Sequence, residues 1–121
     1  MGKDNFFEQL KKKMDEYVHL VYKLTKQFPQ SELYGVTSQL RRASLSVILN
    51  YIEGFARQRK AVKQNFWEIS YGSLKESKYL LHFSLVEKYL NKDYYDKSLK
   101  LAEEIGAMLW HLIKSTKYKT S

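Results

Sequence analysis

The sequence predicts an all-α protein, an antiparallel four-helix bundle with up-down-up-down topology. Three observations predict it. Apolar residues recur at steps of three and four in four separate stretches, no apolar–polar alternation typical of a strand persists, and the 121 residues include only one proline and five glycines. Short connections force consecutive helices to run antiparallel. A chain of this length forms one domain, residues 1–121, and can bury a core without disulfides or metals.

The first predicted helix covers about residues 5–28, because its apolar residues keep helical spacing throughout. They are Phe7, Leu10, Met14, Tyr17, Val21, Leu24 and Phe28. Pro29 disfavours the α conformation at the residue before it, so the helix is expected to end there and a loop to follow up to Gly35.

The second predicted helix, about residues 36–57, carries two apolar rows instead of one. The first row is Val36, Leu40, Ala43 and Val47, and the second is Leu45, Ile48, Ile52 and Phe55. In a small bundle the back of each helix faces solvent, so a helix with two apolar rows indicates cover from another molecule and favours oligomerisation.

The third predicted helix covers about residues 61–90, after a turn near residues 58–61 for which Gly54 is the nearest breaker. Large and small residues alternate along its apolar row, and the serines would allow a neighbouring helix to approach closely. The row is Trp67, Ser70, Leu74, Ser77, Leu81 and Ser84. The fourth predicted helix covers about residues 94–114, with Asp93 as its N-cap.

A set of polar residues on the second and third helices suggests a structural polar lock. Ser73 and Glu76 interrupt an apolar row, and a buried carboxylate needs a cationic or hydrogen-bonding partner. Arg41 and Arg42 are the expected partners for Glu76, and Asn50 is the expected partner for Ser73. The predicted lock consists of Arg41, Arg42, Asn50, Glu53, Ser73 and Glu76. A ligand site or an ordinary solvated face is the alternative.

The charge balance favours a polyanionic partner. The formal net charge is +8, from 21 Lys and Arg against 13 Asp and Glu, with a pI near 9.5. In an up-down bundle the turn between the second and third helices lies at the same end as both termini, so basic residues of separate segments are predicted to form one nucleic-acid-binding patch. They are Arg57, Arg59, Lys60, Lys63, Lys114 and Lys117.

Aromatic residues near that end would add stacking surfaces for bases. The candidates are Tyr51, Phe55, Trp67, Tyr71 and Tyr118. The alternative is that these rings belong to the core and that the charges are solvated turns.

Several functional classes are disfavoured. The chain has no cysteine, which fits a reducing cytoplasm and excludes disulfides and thiolate metal sites. No apolar run approaches the ~18 residues of a membrane span, so no membrane partner is expected. His19, His82 and His111 lie on three different predicted helices. With no phosphate-binding loop and no recognisable catalytic set, we expect neither an enzyme nor a cofactor or metal.

Taken in order along the chain, the residues resemble a known family. Phe28-Pro29 with Glu32, and then Tyr34-Gly35-Val36-Thr37-Ser38-Gln39-Leu40-Arg41-Arg42-Ala43, are similar to the "FP..E.YGLTSQLRRA" signature of the four-helix bundle proteins encoded in 23S rRNA intervening sequences. The similarity continues at Ser46, Asn50, Glu53, Gly54 and Phe66, and at Gly72-Ser73-Leu74 with Glu76. Ile52 and Ile48 depart from it, where a small residue and proline are usual.

The resemblance implies an antiparallel four-helix bundle that assembles as a ring-shaped homopentamer. It also implies relatedness to the accessory variability proteins (Avd) of diversity-generating retroelements, basic pentamers that bind nucleic acid and a reverse transcriptase. We therefore expect a cytoplasmic homo-oligomer that binds RNA or DNA mainly through phosphate contacts. The alternatives are a protein-interaction scaffold, such as an accessory factor to a reverse transcriptase, and a structural bundle with no ligand.

Overall fold

The computed structural model describes residues 3–118, with the side chains of residues 5–116. Four α-helices account for most of this range and no strand occurs within it. They are α1 (Lys3–Thr25), α2 (Val36–Phe55), α3 (Lys60–Val86) and α4 (Lys92–Tyr118), with a short 3-10 helix (Gln30–Glu32) between α1 and α2. The prediction of four helices is confirmed.

The helices pack in the cyclic order α1, α2, α3, α4, and α4 packs back onto α1. Contacts at both ends show that α1 and α2 are antiparallel. The hydroxyl of Tyr51, near the end of α2, donates to the carbonyl oxygen of Phe7, near the start of α1, at 3.1 Å. At the opposite end, Nε of Arg41 donates to Oγ1 of Thr25 at 2.8 Å. The α2–α3 turn therefore lies beside the start of α1.

The core contains the apolar row of α1, the first apolar row of α2 and a row of buried serines. The second predicted row of α2 lies at the surface, with Leu45 and Ile48 half-buried and Ile52 and Phe55 exposed. Ser70, Ser77 and Ser84 of α3 are fully buried. Their hydroxyl groups are satisfied by carbonyl oxygens; Ser70 donates to Val47 on α2 at 2.6 Å. The oxygens of Tyr17 and Ser77 lie 2.7 Å apart across the core. These small side chains allow α3 to approach its neighbours closely, as the sequence predicted.

Two helices end earlier than their apolar patterns suggest. α1 ends at Thr25 and not at Phe28, because residues 26–28 form i→i−3 hydrogen bonds, which tighten the last turn. α3 ends at Val86 and not at residue 90, because Lys88 adopts a left-handed conformation with φ 67°. The N–H of Tyr89 then donates to the carbonyl oxygen of Ser84 at 2.9 Å, which closes the helix end.

α2 begins at residue 36 as predicted, but several other boundaries differ from the prediction. Asn91, and not Asp93, caps α4, because its Oδ1 accepts a hydrogen bond from the N–H of Tyr94 at 2.8 Å and the helix already begins at Lys92. α4 continues to Tyr118. α2 ends at Phe55, two residues before Arg57, and α3 begins at residue 60.

Candidate nucleic-acid interface

The structure places the predicted basic residues at one end of the bundle. We define the basic pole as residues 56–63 with Lys114. Ring contacts place α1 at this end: Phe7 packs against Phe55 of α2 at 5.0 Å between ring centroids, and Phe6 packs against His111 of α4 at 6.1 Å. Segments far apart in sequence thus meet there. The side chain of Lys117 lies outside the described residues.

The cations of the basic pole differ in how far they are neutralised. Arg57 forms an ion pair with Glu53 one turn earlier, and its guanidinium lies over the Phe66 ring, 5.0 Å from the centroid. Arg59 and Lys60 are exposed. Among the side chains that the structure describes, Arg59, Lys63 and Lys114 form no ion pair within 4.0 Å. They are the cations of this pole best placed to meet an external anion.

Acidic residues are distributed unevenly between the two ends. Near the basic pole the described acidic side chains are Glu8, Glu53 and Glu68, and the second is paired with Arg57. The opposite end carries more acids, on the 3-10 helix, at the end of α3 and in the first turns of α4. They are Glu32, Glu87, Asp93 and Asp96. The acidic side chains therefore neutralise more charge at the opposite end, which itself carries the exposed cations Lys23, Lys26 and Lys97.

Two of the five rings predicted to stack on bases, Tyr51 and Trp67, are core residues, so part of the stacking prediction is wrong. Tyr51 is 1% exposed and Trp67 is 2% exposed, because they form an edge-to-face cluster with Phe7 and Phe55. Phe55 keeps a partly exposed ring, and Nζ of Lys63 lies 5.6 Å from the centroids of both Phe55 and Trp67. The side chain of Tyr118 lies outside the described residues.

The predicted polar lock is only partly assembled. Ser46 of α2 and Ser73 of α3 join the two helices, with their oxygens 2.7 Å apart. Asn50 donates to Oγ of Ser46 at 2.9 Å, so it supports Ser73 through Ser46 and not directly. Glu53 pairs with Arg57, four residues later in the chain. These contacts lie along the seam between α2 and α3.

The structure corrects the predicted pairing of arginine with glutamate in the lock. Glu76 is exposed and not buried, because it lies beside the buried row of α3, at the edge of a groove of about 520 Å3 between α2 and α3. Arg42 lines the same groove and is exposed. Arg41 lies on the α1 side of α2, where it contacts Thr25 and lies 4.8 Å above the Tyr22 ring. It therefore does not act as a partner of Glu76.

The structure contains a groove between α3 and α4 that the sequence did not predict, although Tyr71, one of its lining residues, was a stacking candidate. Its volume is about 300 Å3, and it is lined by Tyr71, Lys75 and Lys78 of α3 and by Trp110 of α4, among others. The rings of Tyr71 and Trp110 lie 5.3 Å apart. The sequence does contain a pattern that indicates this groove. On both helices a lysine follows an aromatic residue by four positions, at Tyr71–Lys75 and at Trp110–Lys114.

One histidine, His19, has acidic neighbours on its own helix that the sequence analysis did not consider. Asp15 and Glu16 lie four and three residues before His19, and Oδ1 of Asp15 is 3.4 Å from Nε2 of His19. All three side chains are exposed on α1. Within the described part of the chain, no group of three or more His, Cys, Asp or Glu side chains is placed to hold a metal ion. None of the helices over this range is long and apolar enough to cross a membrane.

Comparison with known proteins identifies both the family and the fold. A family model described as "23S rRNA-intervening sequence protein" matches residues 8–111. A crystal structure of a protein with unknown function from the S23 ribosomal protein family of Bacteroides thetaiotaomicron is similar, with a TM-score of 0.83 at 22% identity. The match covers 90% of this chain and 98% of that chain, and it supports the four-helix fold. No curated protein sequence matches.

Proposed function

The chain belongs to the 23S rRNA-intervening sequence protein family, and from that premise we propose that it is a cytoplasmic, non-enzymatic, homo-oligomeric bundle that binds nucleic acid mainly through phosphate contacts. The observation that carries the proposal is the basic pole, where Arg59 and Lys63 at the start of α3 and Lys114 on α4 form no ion pair with a described acidic side chain. The absence of cysteine fits a reducing compartment.

Contacts to phosphate explain why such a surface would bind with little regard to sequence. Each lysine or arginine that neutralises a phosphate releases condensed counterions, which favours binding at low salt. Phosphate contacts fix the position of the nucleic acid but do not read its bases. Arg57 is held by Glu53 and contributes less than its charge suggests, so we assign binding chiefly to Arg59, Lys63 and Lys114. Lys60 and Lys117 complete the predicted set.

The test compares two triple variants with equal loss of charge. The first carries Arg59→Ala, Lys63→Ala and Lys114→Ala at the basic pole. The control carries Lys23→Ala, Lys26→Ala and Lys97→Ala, which are exposed cations toward the opposite end. Both lower the formal net charge from +8 to +5. Binding to a labelled oligonucleotide is measured by fluorescence anisotropy at fixed low salt.

We expect the basic-pole variant to lose roughly tenfold or more in affinity and the control to lose much less, because only the first removes phosphate contacts. An equal loss in both variants would mean that net charge, and not the basic pole, attracts the ligand. Unchanged binding by the basic-pole variant would remove these residues from the proposed interface.

We also propose self-association, as the ring-shaped homopentamer implied by the family resemblance. Its support is the outer face of α2 and α3. Leu49 is 57% exposed and lies three residues after Ser46, and Ile69 is 44% exposed and lies four residues before Ser73. Both therefore lie on the faces that carry the Ser46–Ser73 pair. A second copy on this face would also cover Glu76 and Arg42, which would complete the polar lock at an interface.

The same exposed face favours a second candidate function, a protein-interaction scaffold such as a reverse-transcriptase accessory of the Avd kind. In that case Leu49 and Ile69 would bind a different protein, and the charges would matter less. A pull-down with the product of a neighbouring gene separates the two functions. Loss of that partner in Leu49→Glu, with nucleic-acid affinity unchanged, would favour the scaffold.

A further inference from the structure

The groove between α3 and α4 combines an exposed indole with several ammonium groups. Trp110 is 48% exposed, and its ring packs against that of Tyr71 with an interplanar angle of 40°. Nζ of Lys75 lies 5.3 Å from the Tyr71 centroid, and Nζ of Lys114 lies 5.9 Å from the Trp110 centroid. Lys78 lines the same groove. Each of the two adjacent rings thus has a lysine ammonium group beside it.

We propose that this groove binds unpaired bases of single-stranded nucleic acid, with a base stacked on Trp110 and the flanking phosphates held by Lys75, Lys78 and Lys114. The proposal rests on the nucleic-acid binding proposed above and deepens it by naming the strand class. It connects the groove with the basic pole, because Lys114 contributes to both.

The charges of the groove favour a polyanion over an apolar partner. Among the residues that line it, Lys75 and Lys78 stand against one acid, Glu103, whose Oε2 lies 3.9 Å from Nζ of Lys78. Lys114 adds a third cation beside the indole. A π-face bordered by ammonium groups matches the alternation of bases and phosphates along a single strand.

The geometry favours unpaired bases over a duplex. Bases within a duplex are stacked on one another, so their faces cannot reach a protein ring, whereas single-stranded bases can splay out and stack. The groove has room for a base beside the two rings because α4 contributes small residues to its floor, Ala102, Gly106 and Ala107. The ammonium of Lys114 over Trp110 is an exposed contact on a flexible chain, which a stacking base displaces toward its own phosphate.

The test uses two strands of about twelve nucleotides, a length within the usual range of single-strand sites. One is oligothymidine, and the other is an abasic strand with the same number of phosphates. Binding is measured for the wild type, for Trp110→Leu and for the control Tyr79→Leu, which removes a 63% exposed ring elsewhere on α3. Quenching of tryptophan fluorescence gives a second signal, and it reports on Trp110 because Trp67 is 2% exposed. The solution mass of each variant is recorded.

We expect wild type and Tyr79→Leu to bind oligothymidine roughly tenfold more tightly than the abasic strand, with quenching, and Trp110→Leu to lose this difference. Equal binding of both strands by the wild type would overturn the base-stacking site and leave phosphate binding intact. No binding of either strand at low salt would overturn both proposals. A changed solution mass in Trp110→Leu, with the preference for bases retained, would assign the groove to a contact between subunits.

Discussion

The helical backbone at Gly54 lies directly against the indole of Trp67. A Cβ built at Gly54 would lie 2.3 Å from Nε1 of Trp67, closer than atoms that are not bonded can approach. The same N–H donates to the carbonyl oxygen of Tyr51 at 3.1 Å, so the indole is fixed in place and cannot move aside. This contact joins the end of α2 to the start of α3 and thereby sets the position of the basic pole.

The close approach predicts opposite effects for the same substitution at two glycines. Gly54→Ala should lower the free energy of unfolding by about 1–3 kcal/mol, because overpacking against Trp67 outweighs the better helix propensity of alanine. Gly72 lies at an exposed position of α3, and Gly72→Ala should raise the free energy of unfolding by roughly 0.5–1 kcal/mol, because nothing lies within 4 Å of an added Cβ. Chemical denaturation measures both. Stabilisation by both substitutions would contradict the packing.

Two buried tyrosines predict a loss of stability in alkali. Burial raises the pKa of Tyr17, with a smaller opposing effect of the Ser77 hydrogen bond, and burial together with the charge of Glu8 raises the pKa of Tyr51. Above about pH 10 both tyrosines ionise in the unfolded chain but stay protonated in the folded one. Each then lowers the free energy of unfolding by about 1.4 kcal/mol per pH unit until its folded pKa is reached.

Tyr17→Phe is the variant that isolates this effect. At neutral pH it should cost about 1 kcal/mol through the lost contact with Ser77. Its stability should then fall less steeply than that of the wild type above about pH 10, so the two curves converge. Denaturation midpoints across this range provide the measurement. Parallel curves would show that Tyr17 ionises equally easily in both states.

Most of the fold could be predicted from the sequence, because helical periodicity is a local property. The apolar row of α1, the first apolar row of α2 and the buried serines of α3 were recognisable from spacing alone. The end of α3 was not, because Lys88 adopts a left-handed conformation that usually favours glycine, and nothing in its residue type signals that choice. The N-cap of α4 was misplaced by two residues, since Asn91 and Asp93 are both favourable caps.

The candidate site was predictable only in part, because burial depends on contacts between helices. The basic pole followed from topology, which places the α2–α3 turn and the end of α4 together. Periodicity placed Trp67 in the apolar row of α3, but it did not show that Trp110 packs against Tyr71 while remaining half exposed. The row that contained Glu76 looked apolar, but only the packing of α2 on α3 shows that this position faces solvent.

Substitutions at the α2–α3 seam should affect different properties, with a serine affecting stability and the nearby carboxylate affecting assembly. Ser73→Ala should lower the free energy of unfolding by about 1 kcal/mol, because it breaks the part-buried pair with Ser46. Glu76→Gln should change it by less than about 0.5 kcal/mol in the single chain, because Glu76 is exposed. If a second subunit covers this face, Glu76→Gln instead weakens assembly. No effect on either stability or assembly would remove Glu76 from the lock.

Charge on the outer face of α2 and α3 should separate folding from assembly. Leu49→Glu and Ile69→Glu each place a carboxylate at an exposed position, so the helical content of the chain should be unchanged. If that face is an interface, the solution mass should fall from about 72 kDa, five times 14.4 kDa, toward that of one chain. Light scattering measures the mass, and Tyr79→Glu is the matched control. An unchanged mass in both variants would place the interface elsewhere.

The salt dependence of nucleic-acid affinity tests the central claim most directly. The basic pole offers at least three cations without a described acidic partner, so the logarithm of the association constant should fall with the logarithm of salt concentration with a slope of about −2 or steeper for a single strand. The affinity of the wild-type protein for one oligonucleotide, measured between about 50 and 200 mM salt, gives that slope. A steep loss of affinity is the predicted result. A slope near zero, or no binding at the lowest salt, would contradict the account.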